Sequence, residues 1–132
     1  MILVDTSVLF DILNDDPTWA DWSQSALEIA LGIGSVFIND IIYAELSVRF
    51  DSVDDVEAAI AGLGLQHAAT PKPALLLAGK AFQRYRARGG TRTGVLSDFF
   101  IGAHAAVEGW QLLTRDPTRI RSHFPTVELI AP

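Results

Sequence analysis

The chain has 132 residues, no cysteine, 49% hydrophobic residues and a formal charge of −6, one domain's length with enough apolar side chain to bury a core. The lack of thiols excludes disulfides and thiolate metal sites. No apolar run reaches the roughly 18 residues that cross a bilayer, and the first run breaks at Asp5 with no basic segment before it, so the expectation is a soluble, cytoplasmic protein without a signal peptide or membrane partner. The net charge hides its distribution: residues 1–57 hold twelve of the sixteen acids and one base, Arg49, whereas residues 58–97 hold six bases and no acid. A basic stretch of this kind binds phosphates whatever the net charge.

In chain order, Ile2 to Val4 reads as a short buried strand and Ser7 to Leu13 as a helix that Asn14, Asp15, Asp16 and Pro17 end. A second helix is expected from Trp19 to Leu31, before the break at Gly32 to Gly34. Val36, Phe37 and Ile38 form the next buried strand, with Asn39 or Asp40 capping a helix to Phe50. Ser52 and Asp55 make a near capping box that opens a helix to Leu63. Leu65 to Ala69 is a weaker third strand and Pro71 to Arg88 a long helix, with Gly89, Gly90 and Gly94 marking a mobile loop. Ser97 or Asp98 opens an apolar helix to Glu108, Gln111 to Thr114 is a strand, and Val127 to Ile130 is the last. Short apolar strands alternating with helices predict βαβ units, right-handed crossovers and a mostly parallel sheet covered on both faces, in a single domain over 1–132.

In such sheets ligands bind beyond the carboxyl ends of the strands, where strand order reverses. Asp5 closes the first strand, and Thr114 and Asp116 follow another. Taken singly each acid has a plain structural reading: Asp5 and Asp98 as helix caps, Asp116 as the start of an Asp-Pro turn. Glu45 is different, because at about 100° per residue it falls between Ile41 and Ile42 on the apolar arc of its helix. A carboxylate there is costly without a partner, and Arg49, four residues on, is positioned either to pair with it or to serve a site. If Asp5, Glu45, Asp98 and Asp116 converge, each pair at about 5 Å costs roughly 3 kcal/mol at an effective dielectric near 20. Such a cluster takes up protons or binds a divalent cation, and oxygen ligands suit Mg²⁺ or Mn²⁺.

Four blocks carry a resemblance: "ILVDTSVL" around Asp5, "INDIIYAELS" around Glu45, "GVLSDFFIGAHA" around Asp98, and "LLTRDPTRIRSHFPTVELIAP" around Asp116. In this order and spacing they resemble PIN-domain proteins, most of all the VapC-type toxins of toxin-antitoxin modules, over nearly the whole chain. The resemblance implies a three-layer α/β/α domain on a parallel sheet of about five strands. It also implies a Mg²⁺- or Mn²⁺-dependent ribonuclease that leaves a 5′-phosphate and a 3′-hydroxyl. The acids carried over are Asp5, Glu45, Asp98 and Asp116, with Asp5 and Asp98 nearest the metal, and Ser7 and Thr114 as supporting hydroxyls. The chain departs from the pattern at Ser97, often proline in close relatives, and at His123 and Phe124, where an aromatic pair is expected. Neither departure falls on an acid, so both are expected to alter local loops only.

Lys80, Arg84 and Arg88, spaced by four on one helical face, with Arg92 after them and Arg115 beside Asp116, are the candidates for binding RNA phosphates. Arg119 and Arg121 are further candidates beside Asp116. His67, His104 and His123 are too scattered in sequence for a two-histidine ribonuclease. The family further implies a small VapB-type antitoxin, whose arginine or lysine would suit the acidic crevice, and a homodimer; Trp19, Trp22, Leu27 and Leu31 are candidates for the antitoxin interface. A haloacid-dehalogenase-like phosphatase would need an acid where Ser7 stands. A receiver domain would need a lysine later than Lys80. The non-enzyme alternative is a catalytically inactive PIN fold that binds RNA or protein.

Overall fold

The computed structural model describes residues 1–92 and 95–132; Gly94, read as part of a mobile loop, lies outside them. Among the described residues the elements are β1 (Ile2–Val4), α1 (Thr6–Leu13), α2 (Ala20–Ile33), β2 (Val36–Ile38), α3 (Asp40–Ser47), α4 (Val53–Gly62), β3 (Gln66–His67), α5 (Lys72–Ala87), α6 (Leu96–Glu108), β4 (Gln111–Leu113), α7 (Thr118–His123) and β5 (Leu129–Ile130). The five strands form one parallel sheet in the order β3-β2-β1-β4-β5. The first connections run one way across the sheet and the later ones the other way. With right-handed crossovers this puts α1 to α4 on one face and α5 to α7 on the other. The contacts agree: α1 packs on α2 and α3, and α3 on α4, while α6 packs on α5 and α7.

The central strand explains why β1 is purely apolar. Ile2, Leu3 and Val4 are at most 1% exposed, as a strand covered by helices on both faces must be. Strand order reverses between β1 and β4, so the crevice beyond their carboxyl ends is the switch point. The Asp5 N–H donates to the Leu113 carbonyl at 2.8 Å, extending the ladder by one residue and anchoring Asp5 at that opening.

Two devices seat the helices that approach it. Asn39 caps α3 by accepting from the Ile41 and Ile42 N–H groups through Oδ1 at 3.1 and 3.0 Å. Its amide nitrogen therefore faces His104 Nδ1, 3.2 Å away on α6. An amide nitrogen only donates, so Nδ1 accepts and the imidazole proton is on Nε2. His104 is buried against Trp110, and desolvation holds its pKa below the ordinary 6.5. The second device is Gly102 on α6, where a Cβ would lie 2.4 Å from the Phe124 ring and 3.1 Å from Ile120. Only a glycine lets α7 and the Phe124 side chain approach α6 this closely.

Several sequence expectations change in detail. The helix after β2 stops at Ser47 rather than Phe50, and the helix expected to start at Ser97 or Asp98 starts at Leu96, with Asp98 inside its first turn. Helix α7 was not foreseen: at six residues between Pro117 and Pro125 it is too short for periodicity to reveal.

Gly102→Ala should lower stability by about 1–3 kcal/mol in urea unfolding, whereas Gly79→Ala, where a Cβ meets nothing within 4 Å, should not lower it. Asn39→Asp keeps the cap oxygen but faces His104 with an acceptor. We expect a loss of about 1–3 kcal/mol at pH 8 that shrinks towards pH 5.5, where the imidazolium donates to the new carboxylate. In the wild type the sign is opposite: the folded protein binds fewer protons at His104 than the unfolded chain does, so this residue withdraws stability as pH falls below 6.5.

Candidate active site

Four carboxylates reach one cavity of about 190 Å³ beyond β1 and β4. Asp5, Glu45, Asp98 and Asp116 line it with Thr6, Ser7, Phe10, Ile101, Arg119 and Ile120. Asp5 comes from the end of β1, Glu45 from α3 on one face, Asp98 from α6 on the other, and Asp116 from the segment after β4. Helices α3 and α6 also touch each other, so both layers close on the same opening.

Asp5 stands at the N-cap of α1 but makes no capping hydrogen bond. Its carboxylate is held by two hydroxyls instead, Ser7 Oγ at 2.7 Å and Thr114 Oγ1 at 2.8 Å, both donating to Oδ2. Thr114 is fully buried and accepts from the Asp116 N–H at 3.1 Å, while Ser7 accepts from the Arg115 N–H at 3.3 Å. Two chains of bonds thus tie β1, α1 and the segment after β4 around one oxygen, and Oδ1 takes part in neither.

Glu45 accepts from Thr6 Oγ1 at 2.7 Å. The Ser97 hydroxyl is also near enough to favour its charged form, so that departure from the family pattern does reach the acidic set. Of the two roles open to Arg49, pairing with Glu45 or serving the site, it takes neither: it is not among the residues lining the cavity. Arg49 donates to the Leu13 carbonyl at 2.7 Å and to the Asn14 side chain, fastening the end of α1. Asp98 pairs with Arg119, which comes from the unforeseen helix α7.

The electrostatics follow from this crowding. Burial raises the pKa of Asp5, Glu45 and Asp98, and neighbouring acids raise it further: Asp116 acts on Asp5, Asp5 and Asp98 act on Glu45, and Asp5 and Asp116 act on Asp98. Hydroxyls and Arg119 oppose the shift without cancelling it. Among the described residues no three carboxylates or imidazoles close into a cation cage. The acids stand around the cavity under mutual repulsion, with one guanidinium on Asp98.

The remaining candidates lie elsewhere. Lys80, Arg84, Arg88 and Arg92 are exposed on or just beyond α5. Arg84 and Arg88, with Arg119, add to burial in depressing the pKa of His123, so the basic helix runs up to the neighbourhood of α7. Arg115 is committed otherwise: its guanidinium forks onto Asp11 at 2.9 and 3.1 Å and lies over Trp19. Asp11 is 3% exposed and also accepts from Ser23. His67 pairs with Asp40 at 2.6 Å, and His123 packs on Phe99 and Tyr85. Leu27 belongs to the core, and the most exposed large apolar residues of α2 are Ile29 and Ile33.

Fold and crevice together define a three-layer α/β protein whose acids are gathered at the switch point of a parallel sheet. The chain belongs to the PIN-domain family, whose model matches residues 2–121; its members are generally nucleases. Three solved structures are similar in fold. VapBC2 from Rickettsia felis, bound to a DNA fragment from their promoter, is 18% identical with a TM-score of 0.75, covering 100% of this chain and 99% of that one. VapBC-1 from nontypeable Haemophilus influenzae is 16% identical with a TM-score of 0.72, covering 99% and 98%. DNA-bound VapBC from Salmonella typhimurium is 18% identical with a TM-score of 0.68, covering 98% and 96%. No curated protein matches the chain by sequence.

Because burial, and after it repulsion from Asp5 and Asp98, raises the Glu45 pKa in the folded state, its charge works against folding. Glu45→Gln keeps an acceptor for Thr6 and removes that charge, so it should raise the melting temperature by a few degrees at pH 7. The gain should vanish as pH falls through the folded pKa towards the ordinary 4.5, where the wild-type side chain is itself protonated. Thermal melts of both proteins across pH 3.5–7.5 measure this directly.

Proposed function

We propose that this chain is a VapC-type toxin: a Mg²⁺- or Mn²⁺-dependent endoribonuclease that works at the four-carboxylate crevice and is neutralised by a VapB-type antitoxin. One observation carries the reading. Four acids arrive from separate elements at one cavity, against a mutual repulsion that the fold alone has no reason to sustain. Membership of a nuclease family supports the activity, and neighbours that are VapBC complexes support the antitoxin.

The donor set fits a hard divalent cation. All four groups are carboxylates, and the raised proton affinities of Asp5, Glu45 and Asp98 mark a cluster short of positive charge. Asp5 and Asp98 would hold the ion, while Glu45 and Asp116 would act through water or orient it. When bound, the cation supplies Lewis acidity: it offsets phosphate charge, makes a water more acidic and stabilises the departing oxygen. The chain's own residues do the positioning. Ser7 and Thr114 fix the Asp5 carboxylate, and Thr6 fixes that of Glu45.

For the RNA, Lys80, Arg84, Arg88 and Arg92 supply a sequence-independent, salt-sensitive attraction. Arg115 lends little to it, with its fork occupied by Asp11. The reading also brings a homodimer, for which the exposed Ile29 and Ile33 of α2 are available apolar surface. The alternative of an inactive PIN-fold binding module draws on one observation, the guanidinium resting on Asp98.

Purified protein should cut structured RNA in Mg²⁺ and stop in EDTA, and Asp5→Asn and Asp98→Asn should each lose roughly 10²–10³-fold or more, the scale of removing one charge-stabilising group. EDTA-resistant cleavage, or activity retained by both variants, would sink the metal-nuclease reading. Mn²⁺ should raise the melting temperature of the wild type and not of Asp98→Asn. If it raises neither, the inactive module is the better description.

A further inference from the structure

The arginines beside the crevice differ in how they are held. Arg115 is clamped by both oxygens of a buried aspartate and by an indole face. Among the described residues Arg119 makes one hydrogen bond, to Asp98 Oδ2, and Asp98, at 33% side-chain exposure, is within reach of solvent where Asp11, at 3%, is not. Arg119 also walls a second cavity of about 230 Å³, which adjoins the first through Asp116 and is bounded by Thr118, Ser122 and His123.

Resting on the metal-dependent reading above, we propose that Arg119 is an exchangeable counter-ion: it neutralises Asp98 in the cation-free protein and passes to an RNA phosphate in the adjoining cavity when a divalent cation takes that carboxylate. Competition requires the first half. A carboxylate oxygen that accepts a guanidinium N–H and also ligates a divalent ion brings two positive charges within a few ångströms of each other, and the arginine has the longer, more mobile tether. The surroundings favour the second half. Asp116 is the sole acid lining that cavity among the described residues, and Arg84 and Arg88 are close enough to act on His123 in its wall. A released guanidinium is therefore among groups that attract an anion, and its planar fork matches a phosphate. Exchange would couple the two events, because a site without cation keeps its phosphate ligand occupied.

Calorimetric titration with Mn²⁺ tests the first half: Arg119→Gln should bind the ion about tenfold more tightly than wild type, and Arg119→Lys should fall between them. The second half is read on the Glu45→Gln background, which slows cleavage, by fluorescence anisotropy with a single-stranded RNA oligonucleotide. There Arg119→Gln should weaken binding and lower the log–log salt slope by about 0.7 in Mn²⁺, with little change in EDTA. Equal Mn²⁺ affinities for wild type and Arg119→Gln, with binding lost in Asp98→Asn, would overturn the exchange and leave the metal site standing. Weaker RNA binding by the variant to the same degree in EDTA would also overturn it, since Arg119 would then be an ordinary phosphate contact. No Mn²⁺ binding by any form would remove the metal-dependent reading itself and the exchange with it.

Discussion

Like-charged carboxylates repel one another, and the crevice of this protein consists of four of them brought together by the fold. What keeps the arrangement together is a set of short, specific bonds that are individually modest. Two hydroxyls hold Asp5, one holds Glu45, and a guanidinium answers Asp98. Each bond to a carboxylate favours the charged form, yet burial and repulsion still leave three of the acids with raised pKa values. The folded state thus carries an electrostatic cost concentrated at one point. The central apolar strand, the capped α3 and the close approach of α6 and α7 over Gly102 are what make that cost bearable and the geometry definite.

The arginines show how environment decides what one residue type does. Arg49 fastens the end of α1 to the end of α3. Arg115 crosses from the segment after β4 to Asp11 in α1 and, through Asp11, to Ser23 in α2, so three elements meet on one buried carboxylate. Breaking that ion pair leaves a buried charge without a partner, which makes it structural by necessity. Arg119, among the described residues, makes a single hydrogen bond, and its partner Asp98 is far more exposed than Asp11. Of the three, it is the one whose partner belongs to the acidic cluster.

Local patterns in the chain reveal much of this architecture, and long-range ones do not. Three apolar residues ending on Asp5, and Gln111 to Leu113 ending on Thr114, already suggest neighbouring strands and a shared crevice, because a parallel sheet leaves few other arrangements. Glu45 betrays itself by interrupting an apolar arc. The partners are another matter. Thr6 bonds across 39 residues, Asn39 across 65 and Arg115 across 104, and no periodicity encodes such pairings. The i, i+4 rule pointed Arg49 at Glu45, but in the folded chain the carbonyl end of α1 offered it a better partner. Helix α7 escaped because six residues between prolines carry no readable period, and with it went the position of Arg119.

The reversal of strand order explains why the acids come from both layers. Between β1 and β4 the connections diverge to opposite faces, so the space beyond those two strands is not covered by either crossover. Helices α3 and α6 approach it from the two faces and meet there. Glu45 and Asp98 ride on them, which makes the cluster a repulsive seam between the layers. Any positive group that enters the seam, a guanidinium from this chain or a cation from solution, pulls both helices toward the same point. Neutralisation at the site therefore relieves repulsion between the two layers, and a protein built this way feels the loss of its counter-charge in its fold as well as in its chemistry.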